Sequence, residues 1–333
     1  MIVVLTIPVV KLISGPSIKL IESINPAAQG YLGGLGMPII LSWFIGGIMS
    51  AAIAYVIGKI CLGLRSDYLA ISTLLISGII VSVIKHEEWL SRGVKNVIGL
   101  KRPVPYEIDL QNADWFINLI TYLNSSKLNN IIDVSDRQQV LNNLIIDGSG
   151  IFVKLSYAIL FLIVMLIIFY FANKAQLSPW GRMMRAIRDN ETAANAMGKD
   201  VVKQHLIIFV IGAAIVGVAG AMLVTLDGLF TPSGYRPLRF TFIIWIMVIV
   251  GGSGNNLGAI FGGFVIWFSW IEAAPLTTFI INQLTVGLEP TNALKLHLLD
   301  SVPYFRYLFM GLILLLILRY RPKGIIPEKV RHS

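Results

Sequence analysis

One cysteine in 333 residues excludes an intrachain disulfide. Cys61 sits inside an apolar run and reads as small apolar filler. Histidine is nearly as scarce: His86, His205, His297 and His332 lie far apart, without the helical or hairpin spacing that brings two metal ligands together, so no metal site is expected. No GxxxxGK(S/T), HExxH, GxSxG or CxxC is present. The chain therefore does not bind ATP through a P-loop of its own, and no cofactor is implied. The opening MIVVLTIPVVKLIS lacks a basic stretch and a small-residue cleavage site, so no cleaved signal peptide is expected. Charge is thin as well, at 14% of residues against roughly 25% in an ordinary soluble domain.

What replaces charge is hydrocarbon. Apolar residues make up 56% of the chain and the mean hydropathy is +0.75, which places it among multi-pass membrane proteins. The net charge of +9 fits positively charged inner loops and contact with anionic lipid heads. No separate basic domain exists to carry a nucleic acid, so no nucleic-acid partner is expected.

A spanning helix needs roughly 20 apolar residues. Met37–Gly63, Asp67–Ile84, Ile151–Asn173, Leu206–Leu226 and Tyr304–Tyr320 qualify, and Phe240–Ile271 is a longer run without charge. The first 14 residues are apolar but broken by Pro8 and Lys11. The expectation is an all-α bundle of about six to seven spans. The 240–271 run would be about 48 Å as one helix, too long for a hydrocarbon core of about 30 Å. Its middle reads Gly251-Gly252-Ser253-Gly254-Asn255-Asn256-Leu257-Gly258, residues that favour a turn. The segment at 174–204 and the tail (Arg319, Arg321, Lys323, Lys329, Arg331) are both basic. Placing both inside requires an even number of crossings between them. Two short passes turning at the glycines, or a re-entrant pair, satisfy this. Residues 85–150 then form an outer, periplasmic loop subdomain. It is nearly neutral, with apolar-periodic pieces at Trp115–Leu123 and Val140–Ile146.

Between these spans lies a polar, helix-prone island, PWGRMMRAIRDNETAANAMGKDVVKQHL, from Pro179 to Leu206. It carries Arg182, Arg185, Arg188, Lys199 and Lys203, with Lys174 upstream, against Asp189, Glu191 and Asp200. Ala193, Ala194 and Ala196 give a helix with a close-approach face, and Gly198 can end it in a left-handed cap. Such a helix suits a cleft on a cytoplasmic partner; the plainer alternative is a solvated loop helix. The spans hold almost no ionisable groups, with none between Tyr68 and Ile84 or between Phe240 and Ile271. Ion-coupled carriers keep acidic residues at membrane depth, so the energy for transport is expected to come from elsewhere.

For the glycine run the readings are close packing of spans, through Gly254–Gly258 and Gly258–Gly262, or a polar break lined by Asn255 and Asn256 that acts as a gate. Gly212, Gly217 and Gly220 with Ala213, Ala214, Ala219 and Ala221 make the 206–226 span small-faced, which points to close helix packing rather than a pore lining. Trp245, Trp267, Trp270, Tyr304, Tyr307 and Tyr320 read as interfacial anchors, and His205 as a boundary residue. Asp227 with Arg236 and Arg239 could face an incoming zwitterion or be simple surface polarity.

The segment Ser178–Leu223 resembles the loop-and-span signature of branched-chain amino acid ABC transporter permeases. Arg65-Ser66-Asp67-Tyr68-Leu69-Ala70-Ile71-Ser72-Thr73-Leu74 is similar to that family's R-x-D-Y-x-A-I-x-T-L start of a span. Gly251–Gly258 resembles its GG-x-G-x-x-x-G turn, and Arg321–Glu328 its RP-x-G-hydrophobic-x-P-E tail. The four motifs run in order, and the resemblance extends from about 37 to 328. The resemblance implies one permease transmembrane domain over 1–333 in a bacterial inner membrane, not an enzyme. Its 85–150 insertion would be extracytoplasmic, and its 174–204 loop and basic tail cytoplasmic. It implies ABC ATPase subunits as cytoplasmic partners, a second permease subunit as homo- or heterodimer, an extracytoplasmic substrate-binding protein, and membrane lipids. Glu191, Ala193, Ala194 and Gly198 would form the coupling helix, flanked by Arg182, Arg185 and Arg188. Gly251, Gly252, Gly254, Asn255 and Asn256 would line a translocation path or gate. The general importer I-x-L-P element is absent. The family's opening G-x-x-S-L-G-H-A-x-F-x-x-x-G-A-Y has only a faint echo at 30–36, which points to a shortened or alternative start. Alternatives are a related permease for urea or amides, an ion-coupled carrier or channel, or a membrane enzyme.

Overall fold

The computed structural model describes residues 38–64, 66–87, 97–98, 102–129, 133–231, 237–287, 289 and 292–328. The apolar N-terminal piece and the glycine-rich echo at 30–36 lie outside these, as do Arg65, Arg236, Lys329, Arg331 and the side chain of Arg239. The described chain is nearly all helix. Six of its helices are long and apolar enough to cross a membrane. That is the structure expected where no water can satisfy backbone N–H and C=O groups. The chain divides into two compact units, 1–235 and 236–333.

In the first unit α1 (Ile39–Cys61) and α2 (Ser66–His86) are followed by β1 (Val97–Ile98). Three short helices come next: α3 (Glu107–Gln111), α4 (Asp114–Leu123) and α5 (Ser125–Asn129). Then come α6 (Val134–Leu177), α7 (Pro179–Asp189), α8 (Glu191–Ala196) and α9 (Val201–Asp227). The closing β2 (Leu229–Phe230) pairs antiparallel with β1, Val97 opposite Phe230.

The α1–α9 seam is built from small residues. Gly47, Ser50, Ala54 and Gly58 recur every three to four positions along α1 and, with Gly46, are all buried. A Cβ on Gly47 would come within 2.8 Å of Val218 Cγ2, and one on Gly217 within 2.6 Å of the Ser50 Cβ. Gly58 meets Leu206, so numbers fall on one helix as they rise on the other and the pair is antiparallel. Ser50 Oγ donates to the Ala213 carbonyl at 2.6 Å, and Trp43 Nε1 to Thr225 Oγ1 at 3.2 Å. With no hydrophobic drive between helices in lipid, such close packing and hydrogen bonds hold them. The small-faced 206–226 span therefore packs through Gly217, Ala213 and Ala214, whereas Gly212 and Gly220 meet open space.

Helix α6 departs from expectation. It runs for 44 residues, about 66 Å, rather than only across Ile151–Asn173. Its first turns, capped by Asp133 accepting from Ser135 N at 3.2 Å, take in the Val140–Ile146 piece. Residues 134–150 are thus a rod continuous with the span. Leu110, Phe116 and Ile120 of the short helices pack on Ile145, Val153 and Tyr157 of α6 as a small separate core. Gln111 Nε2 donates to the fully buried Ser149 hydroxyl at 3.0 Å, and Arg102 pairs with Glu107 at 3.1 Å.

The second unit comprises α10 (Pro237–Gly251), α11 (Asn256–Leu284), α12 (Ala293–Asp300) and α13 (Val302–Tyr320). The 240–271 run breaks at its glycines as expected, but its halves are unequal. Helix α10 is 15 residues, about 22 Å, while α11 is 29 residues, about 43 Å. The second half is therefore not a short pass. It continues through Glu272 and Pro275, so an acidic residue lies within a long apolar helix. Ile243, Ile246, Val250, Ile266, Trp270 and Met310 form the core of this unit. Trp270 is 5% exposed and belongs to that core, not to an interfacial belt as its sequence context suggests. Trp245 and Trp267, at 66% and 50% exposed, suit the belt reading.

Candidate functional site

The island folds as an elbow of two short helices between the ends of α6 and α9. Ser178 starts it: its Oγ accepts from Gly181 N at 3.2 Å and donates to the Ala175 carbonyl at 2.6 Å. Pro179 occupies the first turn of α7, where its missing N–H costs nothing. A Cβ on Gly181 would press on the Ala175 and Gln176 carbonyls, so the α6–α7 corner needs glycine. Ile187, 1% exposed, is the apolar anchor of α7. Asn190 caps α8 by accepting from Ala193 N at 3.0 Å, and Asp200 caps α9 by accepting from Lys203 N at 3.0 Å. Each cap satisfies an orphan donor at a helix start.

Gly198 ends α8 with φ of +77°, the left-handed conformation anticipated. Lys199 N reaches the Ala194 carbonyl at 3.1 Å and Gly198 N the Asn195 carbonyl at 2.9 Å, completing the cap. The expected residues are thus gathered on one elbow. Arg182 and Arg188 are exposed and Arg185 half-buried on α7. Glu191 and Ala193 are exposed on α8, while Ala194 is buried against its surroundings. Arg182 donates to the Leu177 carbonyl at 3.4 Å, and Arg188 pairs with Asp189 at 3.2 Å. Two side-chain links join the elbow to α9: Trp180 Nε1 donates to Gln204 Oε1 at 3.0 Å, and Glu191 Oε1 lies 3.6 Å from His205 Nε2. His205 is therefore a tie between α8 and α9 and not only a boundary residue.

The second candidate region is the α10–α11 break. Gly252 and Gly254 take φ of +116° and +91°. Asn255 accepts from Leu257 N at 3.0 Å and Gly258 N at 3.4 Å, which starts α11. Gly258 and Gly262 lie against the α10 backbone at Gly251 and Met247, leaving no room for a Cβ. A tail strap, absent from the sequence expectation, closes the break. After α13 the chain returns along it: Ile325 N donates to the Val250 carbonyl at 2.9 Å and Ile326 N to the Gly251 carbonyl at 3.0 Å. Asn255 Nδ2 donates to the Pro327 carbonyl at 3.3 Å, and Gly324, φ +79°, packs directly on Gly252. The Asn255 side chain thus both caps a helix and holds the strap. Asn256, half-buried, opens α11.

Residues 20–318 match the family described as branched-chain amino acid transport system / permease component. A probable branched-chain amino acid transport permease protein LivM of Methanocaldococcus jannaschii is 28% identical over 177 residues, 52% of this chain and 47% of that protein. The high-affinity branched-chain amino acid transport system permease protein LivM of Escherichia coli is 26% identical over 283 residues, 85% of this chain and 56% of that protein. A probable LivH permease protein of M. jannaschii is 28% identical over 209 residues, 61% of each chain. The chain spans about half the length of the LivM relatives it matches. No solved structure matches it. With a family match over most of its length, a multi-helix membrane architecture and four motifs in order, the chain belongs to the branched-chain amino acid transport permease family.

Proposed function

We propose that this chain is a permease subunit of an ATP-driven importer for branched-chain or related amino acids. It would form part of the pore with a second permease subunit in a bacterial inner membrane. An extracytoplasmic binding protein would deliver the solute, and cytoplasmic ATPase subunits would seat on the α7–α8 elbow. The observation that carries this reading is the elbow itself. It is a short, doubly capped, cation-bearing pair of helices, tied by two side-chain links to α9. A push on α8 would pass to α9 through Glu191–His205 and Trp180–Gln204, then to α1 through the close-packed glycine seam. Moving a two-state population from 1:99 to 99:1 takes about 5.5 kcal/mol of differential binding, which nucleotide supplies and this chain transmits. In this reading 85–150 is extracytoplasmic and the tail cytoplasmic. The break at Gly251, Gly252, Gly254, Asn255 and Asn256 is a gate near the inner face, and the tail strap makes it move together with α13.

Co-expression with the ATPase subunits and purification in mild detergent tests the elbow. Glu191→Lys and Gly198→Leu should insert normally but lose the co-purifying ATPases and ATP-driven uptake. Normal assembly and uptake by both variants would sink the coupling role. Glu272 favours an ion-coupled carrier, since it stands exposed within α11. In the same uptake assay Glu272→Gln should match the unaltered chain. Uptake that needs Glu272, ignores ATPase removal and collapses with a proton uncoupler would establish the carrier instead.

A further inference from the structure

Helices α1, α2 and α9 do not close on one another at one end of the first unit. Between the last turn of α1, the first two turns of α2 and the third turn of α9 lies a cleft of about 260 Å³. Gly58 and Cys61 line it from α1, Leu69, Ala70 and Thr73 from α2, and Phe209 from α9. Gly58 is already closed on Leu206 and Phe209, so α2 is the helix that stands away. Ala70 and Thr73 belong to the 65–74 stretch, which neither the elbow nor the glycine break uses.

The chemistry of the lining selects the occupant. Among the described residues that line the cleft, Thr73 carries the only hydroxyl. Its Oγ1 turns back on its own helix, 2.9 Å from the Leu69 carbonyl and 3.1 Å from the Ala70 carbonyl. Cys61 is buried, and its thiol is a weak donor. A zwitterionic solute would need partners for both its charges, and the cleft offers neither. A hydrocarbon chain needs none. An apolar cavity of about 150 Å³ is enough to hold benzene, so this one admits a length of acyl chain. Left empty, it would forfeit the dispersion contacts of its walls.

The level of the cleft points the same way. Lys59 in the last turn of α1 and Lys203 in the first turn of α9 are exposed, and Arg65 stands between α1 and α2 in the sequence. Asp67 and Asp200 are the acidic residues of these stretches, so cations prevail. Lysines at the ends of spanning helices reach to the headgroup layer. Phe209 lies six residues, about 9 Å, beyond Lys203 along α9. That is where an acyl chain begins beneath its phosphate. We propose that the α1–α2–α9 cleft seats one acyl chain of an anionic phospholipid, with the headgroup at the Lys59 and Lys203 ends of the helices.

The test places the full chain in phosphatidylcholine nanodiscs with a trace of phosphatidylglycerol that carries a diazirine in one acyl chain. Cross-links are mapped by mass spectrometry. Residues 69–73 should be labelled several-fold more than Tyr170 and Phe171, which are exposed near the basic end of α6. Unlabelled phosphatidylglycerol should displace that label about fivefold more effectively than phosphatidylcholine, the difference that one nearby lysine makes. Ala70→Trp, which fills the cleft, should abolish the label at 69–73 and leave that at Tyr170 and Phe171 unchanged. A second measurement stands if this variant does not insert. In the double variant Cys61→Ala, Ala70→Cys, purified in detergent, the single thiol should react several-fold more slowly with a small methanethiosulfonate once phosphatidylglycerol is added. The proposal is overturned by labelling at 69–73 no stronger than on α6, by equal displacement with phosphatidylcholine, or by a label that survives Ala70→Trp. A thiol equally slow with and without lipid would mean that the chain itself closes the cleft, and overturns it too. The permease reading fails separately, on ATPase co-purification, because neither measurement needs a partner.

Discussion

The elbow at 178–200 and the joint at 251–258 solve the same problem in opposite ways. Each turns the chain between two helices within about four to twenty residues, and each must satisfy backbone groups at helix ends. The elbow does so with side chains: Ser178, Asn190 and Asp200 are its caps, and space remains open around Gly198. The joint does so largely with backbone, through the returning tail and through glycines at which no Cβ fits. A side chain added at Gly198 meets open space, at the cost of its positive φ, whereas one added at Gly251 or Gly252 meets a carbonyl; within the elbow only the α6–α7 corner at Gly181 is as tight. The joint is a structural weld, and the elbow is a surface whose variants should report on whatever binds there.

The largest effect is expected from Gly251→Ala. Its methyl would press on the Gly258 carbonyl and the α11 backbone, which cannot yield as a flexible side chain can. Overpacking of this kind costs about 3 kcal/mol. The full chain fused to a fluorescent reporter should show a markedly lower midpoint of thermal aggregation by size exclusion. A midpoint equal to that of the unaltered chain would mean that the joint is as permissive as the elbow. Asn255→Ala should have a smaller effect, about 1–2 kcal/mol, from the lost helix cap and the lost tie to Pro327. It should also expose the tail after Arg321 to limited proteolysis. A tail that stays protected would assign the strap to its two backbone hydrogen bonds alone.

Much of this contrast was legible in the sequence, because both regions are written in local chemistry. Glycines in a long apolar run mark a break, and Asn190 or Asp200 before a helical stretch marks a start. The positive φ of Gly198 and the helical island follow from the same logic. What escaped was non-local or depended on helix continuity. The apolar Val140–Ile146 piece read as part of an outer subdomain separate from the span, but residues 134–150 continue the spanning helix, one side of which is buried by α4 through Phe116 and Ile120. Glu272 and Pro275 ended the apolar run at 271 on paper, yet α11 continues through both. The tail motif gave no sign of its partner, since a Gly-Ile-Ile-Pro stretch can pair with any exposed backbone.

The smallest stability effect sharpens the comparison most. Arg188 is exposed, and in the ion pair it makes with the adjacent Asp189 both side chains are more than half accessible. An exposed pair of this kind contributes about 0–1 kcal/mol. Arg188→Ala should therefore leave the midpoint of the full chain within error. If the elbow is a docking surface, the same variant should still weaken co-purification of the ATPase subunits, and the loss should grow with salt as an electrostatic contact is screened. A variant that is silent in both measurements would make α7 a solvated loop helix, and the functional contrast between elbow and joint would disappear. A variant that lowers the midpoint as much as Asn255→Ala would instead show that the elbow, too, is held by interactions its open surroundings do not reveal.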